Sequence, residues 1–146
     1  MSISITSSPD ENTGKLLIEK MFNCMWNQQR PELADDIFSA DVIIHTADGT
    51  SQGLKALEGF IIEMQTAFSN LQHHCHEIIN NNNRVSARFS GQGTHTGTFQ
   101  GMPATGRSFK FTGMGFYHIK DGKIIEFWLE NDMSDFMAAL EGSQSF

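Results

Sequence analysis

The stretch RSFKFTGMGFYHIKDGKIIEFWLEN, residues 107–131, decides the fold. Apolar and aromatic residues recur at every second position on both sides of the Asp-Gly pair at 121–122, which is the period of a β-strand. Asp-Gly between two such runs is a strong signal for a tight hairpin turn. Alternation puts one set of residues on one face of the first strand: Phe109, Phe111, Gly113, Gly115 and Tyr117. It puts a second set on one face of the following strand: Ile125, Phe127, Leu129 and Asn131.

The rest of the chain supplies helices first and strands afterwards. Apolar residues at helical spacing predict a helix over 12–29, a short helix over 31–38, a third over 53–71 and a last one over 132–140. Further strands are predicted at 41–46, in HHCHEII and over 84–97. Glycines inside the long strands indicate bends. We therefore expect an α+β domain, a cone-shaped barrel whose strongly curved, mainly antiparallel sheet is covered by the N-terminal helices.

Composition restricts the possible partners. The 146 residues fit one domain, 1–146, in which residues 1–11 are expected to form a loose segment. A net charge of −7 with no basic patch argues against nucleic acid. The chain has no run of 18 apolar residues and no secretory signal pattern, so we expect a cytoplasmic protein that does not bind membranes.

Cysteine and histidine spacing does not favour a metal site. Cys24 and Cys75 have no CxxC spacing, and free thiols are expected rather than a disulfide. In the run 73–76, alternation would put His74 and His76 on one face and His73 and Cys75 on the other. Two ligands on one face are fewer than zinc needs, so no metal is expected.

Three motifs carry a resemblance to a known family. They are GTHTG at 93–97, GMPATGR at 101–107 and DGKI at 121–124, and Trp128 and Asp132 follow the last of them. Together they resemble the SnoaL-like polyketide cyclases, a branch of the nuclear transport factor two-like superfamily. The resemblance covers nearly the whole chain. It does not settle the reaction, because this fold hosts cyclases, epoxide hydrolases, isomerases and proteins that only bind.

The resemblance implies a homodimer with a mainly apolar pocket and no metal or organic cofactor. In the characterised cyclases an Asp near the end of the last strand removes a proton from an activated carbon, and an intramolecular aldol step closes the ring. Counted from DGKI, that Asp falls on Leu129, which cannot accept a proton. The polar group that faces it on the neighbouring strand falls near Gly115. We expect Glu126 and Glu130, on the opposite face from Leu129, to be solvated or to lie in a dimer contact.

Three residues are candidates for acid–base chemistry in place of the missing Asp. His45 ends the first strand, where the resemblance implies an inward-pointing Asn or His, and it is either a general base or only a hydrogen-bonding residue. His95 lies in GTHTG and has either a pocket role or a role in anchoring the following loop. Asp132 precedes the last helix and is either catalytic or an N-cap.

The expected pocket takes a small apolar, aromatic or polyketide-like molecule. Its wall is predicted to contain Leu129, Phe127, Phe111, Tyr117, Trp26 and Arg88. For Arg88 two further roles stay open: neutralising a buried carboxylate, or lying at the rim. Three functions fit these expectations: a cofactor-independent cyclase, lyase, isomerase or hydrolase; a homodimeric protein that binds its ligand without changing it; and an interaction domain that dimerises through its sheet.

Overall fold

The computed structural model describes residues 9–142, which form four α-helices and six strands. The α-helices are α1 (Pro9–Lys20), α2 (Ala34–Ile37), α3 (Leu54–Ala67) and α4 (Ser134–Glu141). A π-helix (Met21–Trp26) continues α1, and a 3-10 turn (Pro31–Leu33) leads into α2. The strands are β1 (Phe38–Thr46), β2 (Gly49–Gln52), β3 (Phe68–Asn81), β4 (Arg84–His95), β5 (Ser108–Lys120) and β6 (Lys123–Asp132). Of the expected loose segment, residues 1–8 lie outside the described residues, and 9–11 belong to α1.

The strands form one sheet in the order β2-β1-β6-β5-β4-β3. The neighbours are antiparallel except β1 and β6, which run parallel. The sheet is curved and unclosed. The predicted α+β class is therefore confirmed, with one parallel pair that the sequence did not indicate. No helix within residues 9–142 is long and apolar enough to cross a membrane.

The two faces of the sheet differ sharply in burial. Along β5 the burial alternates strictly, with Phe109, Phe111 and Tyr117 buried and Met114 and Phe116 exposed. We call the face of Phe109, Phe111 and Tyr117 the inner face, because the helices and the core cover it. The face of Met114 and Phe116 is the outer face. Successive side chains on a pleated strand point to opposite faces of the sheet, which produces one buried and one exposed set.

From Glu126 to Asp132 the hairpin of β5 and β6 has the predicted register, but a bulge at Ile125 puts fully buried Ile124 on the inner face in place of the predicted Ile125. Gly115 pairs with Leu129, Tyr117 with Phe127, and Phe116 with Trp128. Leu129 and Phe127 therefore lie on the inner face, while Trp128 and Glu130 lie on the outer face. This part of the prediction is confirmed.

Several elements differ from the prediction in their bounds or geometry. The helix expected to reach residue 71 ends at Ala67, because Phe68 already pairs with His95 as the first residue of β3. Strand β2 has no counterpart among the predicted elements, and it pairs with β1. The first helix changes to π-helical geometry at Met21, where the same apolar stripe stays buried.

Candidate functional site

The inner face brings together most of the residues predicted to line a pocket. Tyr117 stacks on Phe127, with ring centroids 5.5 Å apart. The Tyr117 ring also covers Gly115, where a Cβ would overlap the ring. Leu129 lies beside this pair, across from Gly115, and packs against the core. A leucine and a tyrosine ring therefore occupy the place where the resemblance implied a catalytic Asp and a facing polar group, and burial raises the pKa of that tyrosine.

The same face continues across β4 towards the π-helix. The Phe111 ring lies on Gly91, where a Cβ would again overlap it. Trp26 reaches the inner face from the π-helix, and both it and Phe111 meet the imidazole of His73, with centroid distances of 4.8 and 5.4 Å. Five of the six predicted pocket residues thus lie on this side of the sheet: Leu129, Phe127, Phe111, Tyr117 and Trp26.

His73 is the residue that the sequence analysis missed. It is partly buried, and its Nδ1 atom is shielded from solvent without a hydrogen-bond partner among residues 9–142. Burial lowers its pKa from 6.5 to about 4. The imidazole is therefore neutral at pH 7. The sequence signal was the alternation Leu71–His73–Cys75, which puts His73 on the same face as an apolar residue. In the structure Leu71 is fully buried, so this face is the inner one.

The backbone of His73 is held in place by Asn27, the residue that follows the π-helix. The Asn27 amide donates to the His73 carbonyl at 2.7 Å, and its Oδ1 accepts from the His73 N–H at 2.7 Å. Both groups of one side chain are used on one residue of β3, which is an edge strand of the sheet. This contact ties the end of the π-helix to the strand and fixes the backbone from which the imidazole projects.

The expectation that His45 points inward is wrong. Buried Val42 and Ile44 occupy the inner side of β1, so alternation turns His45 to the outer face. There its Nε2 lies 2.7 Å from Glu126 Oε2, and its ring stacks on Trp128 at 4.8 Å. Its Nδ1 lies 3.0 Å from Thr50 Oγ1. His45 therefore does not share the inner face with Leu129.

Asp132 and Arg88 also lie away from the inner face. Asp132 is exposed, and its Oδ1 accepts from the Ser134 hydroxyl at 2.7 Å and the Ser134 N–H at 3.2 Å. These two hydrogen bonds, the hydroxyl first, lower the pKa of its carboxyl. The N-cap position of α4 falls on Met133, one residue later than predicted. Arg88 is exposed on the outer face and pairs with Glu77 at 3.5 Å, so its predicted place in the pocket wall is wrong, and it neutralises an exposed carboxylate rather than a buried one.

His95 is fully buried and contacts the GMPATGR loop. Its Nδ1 lies 3.2 Å from Thr105 Oγ1 and 3.3 Å from the Thr105 nitrogen. The Thr105 hydroxyl donates to the Ala139 carbonyl in α4 at 2.7 Å. These are the contacts of the loop-anchoring role, and the catalytic role of His95 stays a prediction. The structure does not gather His45, His95 and Asp132 into one site.

The remaining predictions concern cysteines, metals and cavities. Cys24 and Cys75 are free and partly buried, as expected. His74 and His76 share the exposed side of β3, with rings 4.6 Å apart. Within residues 9–142, no three His, Cys, Asp or Glu side chains are placed to hold a metal ion. Two surface cavities, of about 330 and 410 Å³, lie near Asp135 and between α1 and β3, and neither is lined by Leu129.

Taken together, the fold and the inner face define a class of protein. It is an α+β domain with a cone-shaped fold and an interior lined by apolar and aromatic side chains. The family model described as SnoaL-like polyketide cyclase matches residues 16–140. The chain belongs to this family.

Solved structures show the same fold in several bacteria. A proposed SnoaL-like polyketide cyclase from Jannaschia sp. CCS1 has a TM-score of 0.83 at 16% identity, over 97% of this chain and 100% of that one. IdmH from Streptomyces antibioticus, a proposed polyketide cyclase, has a TM-score of 0.73 at 23% identity, over 92% and 99%. An LEH-like epoxide hydrolase from M. tuberculosis has a TM-score of 0.71 at 15% identity, over 92% and 94%. A search of curated proteins gave no match.

The lowered pKa of His73 predicts a pH-dependent stability. Between pH 6.5 and about 4 the unfolded chain binds a proton at this residue that the folded chain does not. Protonation of His73 therefore leaves the free energy of unfolding unchanged above pH 6.5. As the pH falls from 6.5 to 4, it lowers the free energy of unfolding by roughly 3 kcal/mol in total.

Urea unfolding at pH 7 and pH 4.5 checks this, with His73→Phe compared against unmodified protein. The variant should lose less stability on acidification, because it has no buried imidazole to protonate. His74→Gln, on the exposed side of the same strand, is the control and should follow the unmodified protein. An imidazole pKa near 6.5 for His73 in an NMR titration would contradict the account.

Proposed function

We propose that this protein binds a small, flat, mainly apolar molecule against the inner face of its sheet. Support comes from the side chains there, because aromatic and aliphatic groups from β5, β6 and the π-helix belong to one contiguous apolar cluster. Small-molecule sites are typically lined in this way, with few polar groups to fix orientation. Membership of a family described as polyketide cyclases favours a polyketide-like or aromatic ligand.

Binding without transformation is the function that the geometry favours. The observation that carries it is Leu129 opposite Gly115, with the Tyr117 ring over that glycine. None of these groups can remove a proton from carbon at neutral pH. His45, the residue expected to replace the missing carboxylate, lies on the outer face in contact with Glu126.

An aldol-type cyclase, or a related lyase, isomerase or hydrolase, is the second candidate. Family membership favours it. An enzyme of this kind needs a proton acceptor close to the ligand. On the inner face described here, such a group would have to be an imidazole rather than the carboxylate that the family resemblance implies.

Binding to the inner face is tested by filling the space beside Leu129. Leu129→Trp should weaken binding of 2-methylnaphthalene at least tenfold, because the larger ring occupies the proposed ligand space. Met114→Trp is the matched control, since Met114 lies on the neighbouring strand but on the outer face and is 60% exposed. Equilibrium dialysis measures both affinities. Equal weakening by the two substitutions, or no effect of Leu129→Trp, would refute inner-face binding.

We also propose a homodimer formed through the outer face. Support comes from three large apolar side chains there, Met114, Phe116 and Trp128, which are 60%, 41% and 36% exposed in the single chain. They lie on adjacent strands, and Phe116 and Trp128 are in contact at 6.2 Å. Exposed apolar patches of this kind mark interaction surfaces.

Light scattering at micromolar concentration tests the dimer. Unmodified protein should have twice the chain mass of 16.3 kDa. Phe116→Lys should shift the mass towards that of one chain, because a buried unpaired charge opposes association. Ile62→Lys, at a 50% exposed apolar residue of α3, should leave the dimer intact. A single-chain mass for unmodified protein would rule the dimer out.

A further inference from the structure

We infer that His73 is the residue that recognises the ligand's polar group, and that the ligand is an aromatic molecule bearing a hydroxyl group. The inference rests on the proposed binding to the inner face. It adds a polar contact at His73 and the chemical group that satisfies it.

Four aromatic rings enclose the His73 imidazole. Ring centroids lie 4.8 Å away for Trp26, 5.4 Å for Phe111, 5.7 Å for Phe22 and 6.0 Å for Phe89. Two of these rings come from the π-helix and two from the sheet. A flat aromatic ligand that reaches this point would meet ring faces and edges around a single polar atom, which is an arrangement that favours stacking.

The polar atom at the centre of this enclosure has no partner. His73 Nδ1 is shielded from solvent, and no residue in the part of the chain that the structure describes hydrogen-bonds to it. Leaving a buried polar atom unsatisfied is unfavourable, and such atoms in native proteins call for an explanation. A ligand hydroxyl would satisfy Nδ1 in either tautomer, because a hydroxyl group both donates and accepts a hydrogen bond.

The structure holds the backbone that carries this imidazole in place through one residue, Asn27. Asn27 uses both amide groups on the His73 backbone, each at 2.7 Å. The residue directly before Asn27 ends the π-helix, and π-helical turns occur frequently at functional sites. The unusual helix geometry and the amide contact thus both act on the segment that carries Trp26 against His73.

Charge selects the kind of polar group. Since burial lowers the pKa of His73 to about 4, the ring is neutral at pH 7 and offers no cation to a carboxylate. Burying an unpaired carboxylate among four aromatic rings is strongly unfavourable. A neutral hydroxyl carries no such cost, which is why we assign a hydroxyl rather than an acid.

Three probes that share one ring system test the inference at pH 7: 2-naphthol, 2-methylnaphthalene and 2-naphthoate. Unmodified protein should bind 2-naphthol about tenfold more tightly than 2-methylnaphthalene, the effect of one hydrogen bond. It should bind 2-naphthoate more weakly than either. His73→Phe should remove the preference for 2-naphthol while leaving the affinity for 2-methylnaphthalene within about threefold. His76→Phe, on the exposed side of β3, should keep the preference.

A measurement on unmodified protein guards against a variant that fails to fold. The ¹⁵N resonance of His73 Nδ1 should move on addition of 2-naphthol and stay in place on addition of 2-methylnaphthalene. Equal binding of these two probes with no movement of that resonance would overturn the role of His73 and leave the proposed function standing. A preference that survives in His73→Phe would also overturn it. Failure of every probe to bind would refute both proposals.

Discussion

Glycines at alternate inner-face positions let aromatic rings lie directly against the sheet, and the interior depends on this contact. Phe111 covers Gly91 and Tyr117 covers Gly115, and a Cβ at either glycine would overlap the ring. Protein interiors are close-packed, so a methyl group there would displace a ring rather than fill a gap. These glycines therefore set the shape of the inner face around Leu129, which is flat and aromatic.

The sequence predicted what depends on local alternation. The faces of Leu129 and Trp128 follow from period two and the Asp-Gly turn, both encoded within a few residues. The face of His45 does not follow in this way, because residues 42, 43 and 44 are all apolar and alternation in the sequence fits either face. The pairing of β1 with β6, more than 80 residues away, goes with burial of Val42 and Ile44 and leaves His45 in contact with Glu126. The family resemblance supplied the fold correctly and the orientation of this side chain incorrectly.

His73 shows the complementary failure. In the sequence it belongs to a run of histidines that was considered only as a metal site, which its spacing did not favour. Its actual surroundings come from residues far along the chain, with Asn27 separated from it by 46 positions. The signal that it faces inward was local, but its enclosure by Phe22 and Trp26 required the packing of the π-helix on β3. Burial then makes it a neutral group.

The most direct test of the account is to locate a bound aromatic molecule by methyl NMR. Leu129 and Met114 lie on adjacent strands, since Leu129 pairs with Gly115, but they point to opposite faces of the sheet. With 2-naphthol bound, intermolecular NOEs should reach the Leu129 methyl groups and be absent for the Met114 methyl group. NOEs to Met114 and none to Leu129 would place the ligand on the outer face and contradict the central claim that the inner face is the binding site.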